Sequence, residues 1–182
     1  MKQLLLAGLA TLLHITPTVV LVKREDAVRR LVPEATAFTA REVRLSTADA
    51  RRLSAAANWS PSEGIVTFYT GARDTRPVGA LTFIRVDTPH GPIEVAVGLD
   101  TNGSVRGVAV TKVTVETKPW TLAALRAGLL DQYAGVGPGR APNGQAAIRS
   151  KVGALPAFIA GEVDKAVTRA LAAYRLFYRP SA

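Results

Sequence analysis

Residues 78–115 read VGALTFIRVDTPHGPIEVAVGLDTNGSVRGVAVTKVTV, and this stretch decides the fold. From Val78 to Val86 the side chains alternate: Ala80, Thr82, Ile84 and Val86 fall on one side, Leu81, Phe83 and Arg85 on the other. That is the period of a strand. Ile93–Leu99 and Val105–Val115 repeat the β-branched character, and Gly64–Thr70 (GIVTFYT) precedes them as a fourth strand. The links are short and made of turn residues: Pro89-His90-Gly91-Pro92, then Asp100-Thr101-Asn102-Gly103. Short links join antiparallel neighbours, so the expectation is an α+β fold whose antiparallel meander sheet is packed by helices on one face.

Helices are predicted on either side of this sheet. Glu25–Val32 (EDAVRRLV) has Val28, Leu31 and Val32 on one face and is stopped by Pro33. Ser46–Ala57 opens with Ser46 and Asp49 at capping-box spacing. Leu122–Tyr133 buries Leu125, Leu129 and Leu130. From Pro156 to about Tyr178, Phe158, Val163, Val167, Leu171 and Tyr174 recur at helical spacing. Gly135–Gly144 (GVGPGRAPNG) reads as a flexible loop; a phosphate-binding turn would need a preceding strand, and here a helix precedes it.

The N-terminus is apolar. No charged side chain occurs from Gln3 to Val22, between Lys2 and Lys23. About 20 apolar residues cross a bilayer core, so the stretch reads as an N-terminal transmembrane helix. The expected organisation is an uncleaved membrane anchor over 1–23 and one domain over 24–182. A cleaved secretory signal is the competing reading, but no Ala-x-Ala site follows the apolar run. Lys23, Arg24, Arg29 and Arg30 beyond it lean toward the cytoplasmic side by the positive-inside rule.

Composition narrows the chemistry. The chain has 182 residues, no cysteine and only two histidines, His14 and His90. Disulfides, thiolate metal sites, cysteine nucleophiles and multi-histidine metal centres are thereby excluded, and any Ser-His-Asp triad would have to use His90. Asp100 with Asn102 resembles half a calcium loop whose later ligands never arrive, so no metal site is expected. Formal charge is +9, yet the basic residues are scattered and no aromatic stacking platform accompanies them. Nucleic acid is therefore not an expected partner; anionic lipid or an acidic partner face fits better. Glu116-Thr117-Lys118, at the exit of the fourth strand, stands where ligand contacts are common.

The order of these pieces resembles the FMN-binding domain of the Rnf and Nqr membrane electron-transport complexes, the group of their covalently flavinylated G and C subunits. The resemblance rests on Val20–Ala27 with Leu31-Val-Pro-Glu-Ala35, Ile65–Tyr69, Val78-Gly-Ala80, Ile93–Asp100 with Gly103–Val108, Glu116-Thr117, and the closing segment Val163–Leu171. It implies a periplasmic domain on the inner (cytoplasmic) membrane, against the lean of the charges. In the family, an S-G-A-T-x-[ST]-S motif before the closing helix carries FMN on its threonine. The matching stretch here is Ala154–Ala160, with Ala157 at the threonine position, and no Ser or Thr lies between Lys151 and Asp164. Alanine has no oxygen to esterify, so no covalent flavin is expected. Leu155 replaces the motif's glycine and Pro156 removes an N–H donor, which weakens a phosphate site as well.

The resulting expectation is a non-enzymatic accessory or structural subunit of a membrane electron-transfer complex, respiratory or photosynthetic, with the other subunits and membrane lipid as partners. The alternative is a carrier holding FMN non-covalently at Glu116, Thr117 and Trp120. A third reading is a free-standing periplasmic or lipid-surface binding protein.

Overall fold

The computed structural model describes residues 17–178. Six strands form one antiparallel sheet in the order β1-β6-β5-β4-β3-β2. They are β1 Thr18–Val20, β2 Ala37–Arg44, β3 Ile65–Arg73, β4 Arg76–Val86, β5 Ile93–Leu99 and β6 Val105–Thr114. The helices are α1 Arg24–Leu31, α2 Thr47–Ala57, α3 Lys118–Arg126, α4 Gly144–Val152 and α5 Ala154–Phe177, with a 3₁₀ turn at Leu130–Gln132. The α+β class and the β3–β6 meander are as expected.

Three features differ from expectation. First, the sheet has two further strands, and they are its two edges. β2 (AFTAREVR) has no buried residue, so its polar composition hides a strand that, among the described residues, pairs with β3 alone. β1 lies inside the apolar stretch read as a membrane span. Thr18 to Val20 pair with Thr114 to Lys112, and Leu21 N–H donates to the Thr111 carbonyl at 2.8 Å. A single helix over Gln3–Val22 is therefore ruled out, because its last residues form a sheet edge and lie N-terminal to the expected boundary at 23/24. The remainder of that expected span, Gln3–Thr16, lies outside the described residues. No described helix is long and apolar enough to cross a membrane.

Second, the helices cover both faces. Alternation within β4 sends Ala80, Ile84 and Val86 to a large core with α2, α3, α4 and α5. On the opposite face Ala27 and Leu31 of α1 pack on Ala96 and Ala109, with Phe83 beside them. The helix can lie this close because the strands beneath it carry glycine. Gly71 pairs with Gly79, and Gly98 with Gly107. A Cβ on Gly98 would stand 2.8 Å from Leu31 Cβ and 3.2 Å from its carbonyl oxygen; one on Gly71 would stand 2.8 Å from both Ala35 Cβ and Val32 Cγ1. At Gly107 the obstacle is only Leu31 Cδ2, the far end of a side chain, at 3.1 Å.

Third, the helix read over Leu122–Tyr133 is α3 followed by the 3₁₀ turn, and α4 was not anticipated. Its N-terminus is capped from a distance. The Asp164 carboxylate, on α5, accepts the N–H groups of Gly144 and Gln145 at 2.9 Å each and the Tyr133 hydroxyl at 2.9 Å. No local sequence signal announces such a cap. Burial, then the nearby Asp164 charge, pushes the Tyr133 hydroxyl well above its ordinary range. By contrast α2 has the capping box its sequence predicts, with Asp49 N–H donating to Ser46 Oγ at 3.1 Å.

On the α1 face, Arg24 pairs with Glu94 and lies 4.7 Å from the centroid of the Phe83 ring. Thr111 Oγ1 donates to Glu94 at 2.8 Å. Burial works against the Glu94 carboxylate, but the Arg24 and Thr111 hydrogen bonds outweigh it and hold its pKa below the ordinary value.

Two outcomes are expected. Gly98→Ala destabilises by about 1–3 kcal/mol, because the new methyl meets a Cβ and a carbonyl that cannot step aside. Gly107→Ala costs less, because a leucine tip can rotate away. Urea denaturation of both variants checks the ranking, and the reverse order would contradict it. For Glu94 the folded pKa is the depressed one, so its contribution is present above the unfolded value, about 4.3, and is lost as pH falls through the folded pKa. Glu94→Gln should therefore be less stable than wild type at neutral pH, with the gap closing on acidification below about pH 4.3; a gap independent of pH would contradict this.

Candidate functional site

The chemistry-bearing residues singled out in the sequence meet at one end of the sheet, where β4 and β6 finish and β5 begins. The chain reaches this end from Thr114. Thr114 Oγ1 donates to the His90 carbonyl at 2.9 Å, which leaves Thr117 Oγ1 to donate in turn to Thr114 Oγ1, also at 2.9 Å. Thr114 N–H donates to Thr117 Oγ1 at 3.1 Å, and Thr117 N–H to Thr114 Oγ1 at 3.2 Å. Thr121 Oγ1 donates to the Thr117 carbonyl at 2.9 Å. All three threonines are fully buried. Thr114 and Thr117 share a hydroxyl–hydroxyl bond and Thr121 anchors the Thr117 carbonyl, and together they turn the backbone from strand into α3, where Pro119 in the first turn suits the helix start.

Glu116 points the other way. Its carboxylate accepts His90 Nδ1 at 2.8 Å, with both side chains partly exposed. The imidazole stands edge-on between two further rings, Trp120 at 5.0 Å and Phe158 at 5.4 Å between centroids. Such perpendicular ring pairs are favourable beyond their buried area. Trp120 comes from α3 and Phe158 from the first turns of α5, so the histidine ties the β4–β5 turn to both helices.

The three residues named for non-covalent flavin are thus neighbours, but they differ in availability. Thr117 turns inward and its hydroxyl is used by the strand exit. Glu116 engages His90, and Trp120 packs on it. His90 is the residue that the sequence reading passed over as a site member. No local signal places it there, since only the tertiary fold brings residue 90 beside residue 116. Among the described residues no hydroxyl bonds to His90 Nε2, and the hydrogen bond of the His90 ring is the one to Glu116. Nor does any group of three or more His, Asp or Glu converge there in a way that suits a metal ion.

Ala157, aligned with the attachment threonine of the resembled family, lies in the first turn of α5 and is fully buried. Leu155 beside it is 50% exposed. Gly153 ends α4 and begins α5 at φ +90°, a left-handed conformation that glycine takes without strain. The glycine-rich loop lies elsewhere. Pro138 to Pro142 line an open cavity of about 250 Å³ with Leu171, Ala172 and Arg175, at the opposite end of α5.

Comparison of the chain with protein-family models, with curated proteins and with solved structures finds no match.

Thr117→Val is expected to destabilise by about 1–3 kcal/mol, since it leaves the buried Thr114 N–H without its acceptor, while Thr117→Ser stays close to wild type. Chemical denaturation distinguishes this from a ligand-contact role, in which both variants would keep wild-type stability.

Proposed function

We propose that the chain is a membrane-attached relative of the FMN-binding domains that holds no covalent flavin and serves as an accessory or structural subunit of a membrane electron-transfer complex, respiratory or photosynthetic. The observation that carries this reading is Ala157. At the position where the resembled family attaches its flavin, this chain has a methyl group packed into the core at zero exposure. Next to it in sequence, the Phe158 ring packs on His90, which in turn packs on Trp120 at the strand exit. What remains of such a domain is its surface, and a surface suits a partner subunit.

The attachment segment supports the same reading in a shortened form. With β1 drawn into the sheet, the uncharged stretch before it is Gln3–Thr16. That is below the roughly 20 residues of a straight crossing and within the length of a segment that inserts at a bilayer interface or directs export. The proposed location is the periplasmic face of the inner membrane. The charge lean toward the cytoplasm loses part of its force, since Arg24 belongs to the fold through Glu94 and Phe83.

Affinity purification of the tagged full chain from its native membranes in mild detergent tests the proposal. Co-purification of redox-cofactor-bearing membrane subunits in fixed ratio is the expected result; a chain that purifies alone would contradict it. Ala157→Thr should not restore flavinylation, because the side chain is directed into the core. It should instead destabilise by about 1–3 kcal/mol through overpacking, and in-gel flavin fluorescence with a melting curve reads both effects.

A further inference from the structure

Four large aliphatic side chains are strongly exposed among the described residues: Val20, Val115, Val152 and Leu155. Three of them gather at one end of the domain. Val115 follows the last residue of β6, and Val152 and Leu155 flank the α4–α5 corner. Two contacts place that corner beside the strand exit. Phe158, one turn after Leu155, packs on His90, and His90 bonds Glu116, next to Val115. The other end of α5 is far away, since Tyr174 donates to the Asp100 carbonyl at 3.0 Å in the β5–β6 turn. The length of β5, roughly 20 Å, separates the two ends.

The chain outside the described residues enters at the same end. Val115 N–H donates to the Pro17 carbonyl at 3.0 Å, so Pro17 touches one of the three exposed aliphatics. No linker intervenes between the uncharged stretch Gln3–Thr16 and the sheet. The charges nearby fit a lipid surface. Lys118 and Lys151 are exposed, with Lys151 Nζ donating to the Ala127 carbonyl at 3.0 Å at the end of α3, whereas Glu116 is engaged by His90 and Asp87, after β4, is paired with Arg85.

We propose that this end of the domain is a membrane footprint: Val115, Val152 and Leu155 rest in the headgroup–acyl boundary of an anionic bilayer, and Lys118 and Lys151 meet lipid phosphates. The proposal rests on the membrane attachment proposed above, but not on membership of an electron-transfer complex. It sets the sheet strands upright on the membrane, with the Asp100–Gly103 turn and the glycine-rich loop farthest from it.

The absence of native cysteine allows a direct test. Val115→Cys, Leu155→Cys and, at the distal turn, Thr101→Cys are each made in the full chain and labelled with an environment-sensitive nitrobenzoxadiazole dye. All three positions are exposed, and circular dichroism checks that each variant folds. On mixing with phosphatidylcholine–phosphatidylglycerol vesicles, labels at 115 and 155 should shift to the blue, gain emission and lose access to iodide, while the label at 101 does not change. The footprint is overturned if all three labels respond alike or the chain fails to float with the vesicles. It is also overturned if the shift appears only in native membranes, since a partner protein then covers this end. A blue shift at 115 and 155 in a chain that purifies without redox subunits would uphold the footprint and reject the complex.

Discussion

Close approach of α1 to the sheet is the constraint on which the rest of the architecture depends. Gly71, Gly79, Gly98 and Gly107 remove side chains from the four central strands where the segment Leu31–Ala35 crosses them; its backbone or Cβ atoms press on Gly98 and Gly71, and only its side-chain ends reach Gly79 and Gly107. A sheet with one face so nearly bare cannot build its main core there. Apart from Leu81, the large aliphatics of β3–β6 therefore point to the other face, where α5 with its row of alanines closes the core. The same approach brings Arg24 over Phe83 and onto Glu94, so the first charged turn of the described chain is bound into the sheet.

Polar side chains then set the ends. At one end the Thr114–Thr117–Thr121 chain turns the strand into α3 with its hydroxyls satisfied inside the protein, and Glu116 with His90 faces outward. At the other, Tyr174 stacks on Tyr178 and closes over Gly103 and the β5–β6 turn. Between them Asp164 supplies the cap that allows α4 to exist. The Glu116–His90, Asp164–Gly144 and Tyr174–Asp100 contacts join residues far apart in the chain, whereas the threonine contacts and the Tyr174–Tyr178 stack are local, three or four residues apart.

That distinction explains how much the sequence revealed. The four central strands, α1, α2 and α5 were legible because alternation, capping-box spacing and a helical stripe are local patterns, although burial follows the pattern only in part: Leu31, Leu53, Val163 and Val167 are buried, whereas Val28 and Phe158 are half-buried. β2 was not legible, since an edge strand with no buried residue has no alternation to show. β1 was masked by apolar neighbours: a strand of three residues inside an uncharged run reads as part of a longer span. α4 depends on Asp164, twenty residues after its first turn, and the second helical face of the sheet depends on glycines whose purpose appears only once α1 lies across them. For the candidate site, Glu116, Thr117 and Trp120 were found at the strand exit, but the inward turn of Thr117 and the part of His90 needed the tertiary structure.

The functional account joins these facts into one argument. On the proposed reading, a domain with a buried alanine where the resembled family has its attachment threonine, with rings packed together at the strand exit, and with exposed aliphatics gathered where the apolar N-terminal stretch enters is better suited to holding a place at a membrane than to carrying electrons. Its most direct test is the flavin content of the full chain isolated from its native membrane, read by fluorescence after acid release and on the intact polypeptide by mass. The account predicts no stoichiometric flavin in either fraction. One FMN per chain, released or attached, would contradict it and return the protein to the electron carriers.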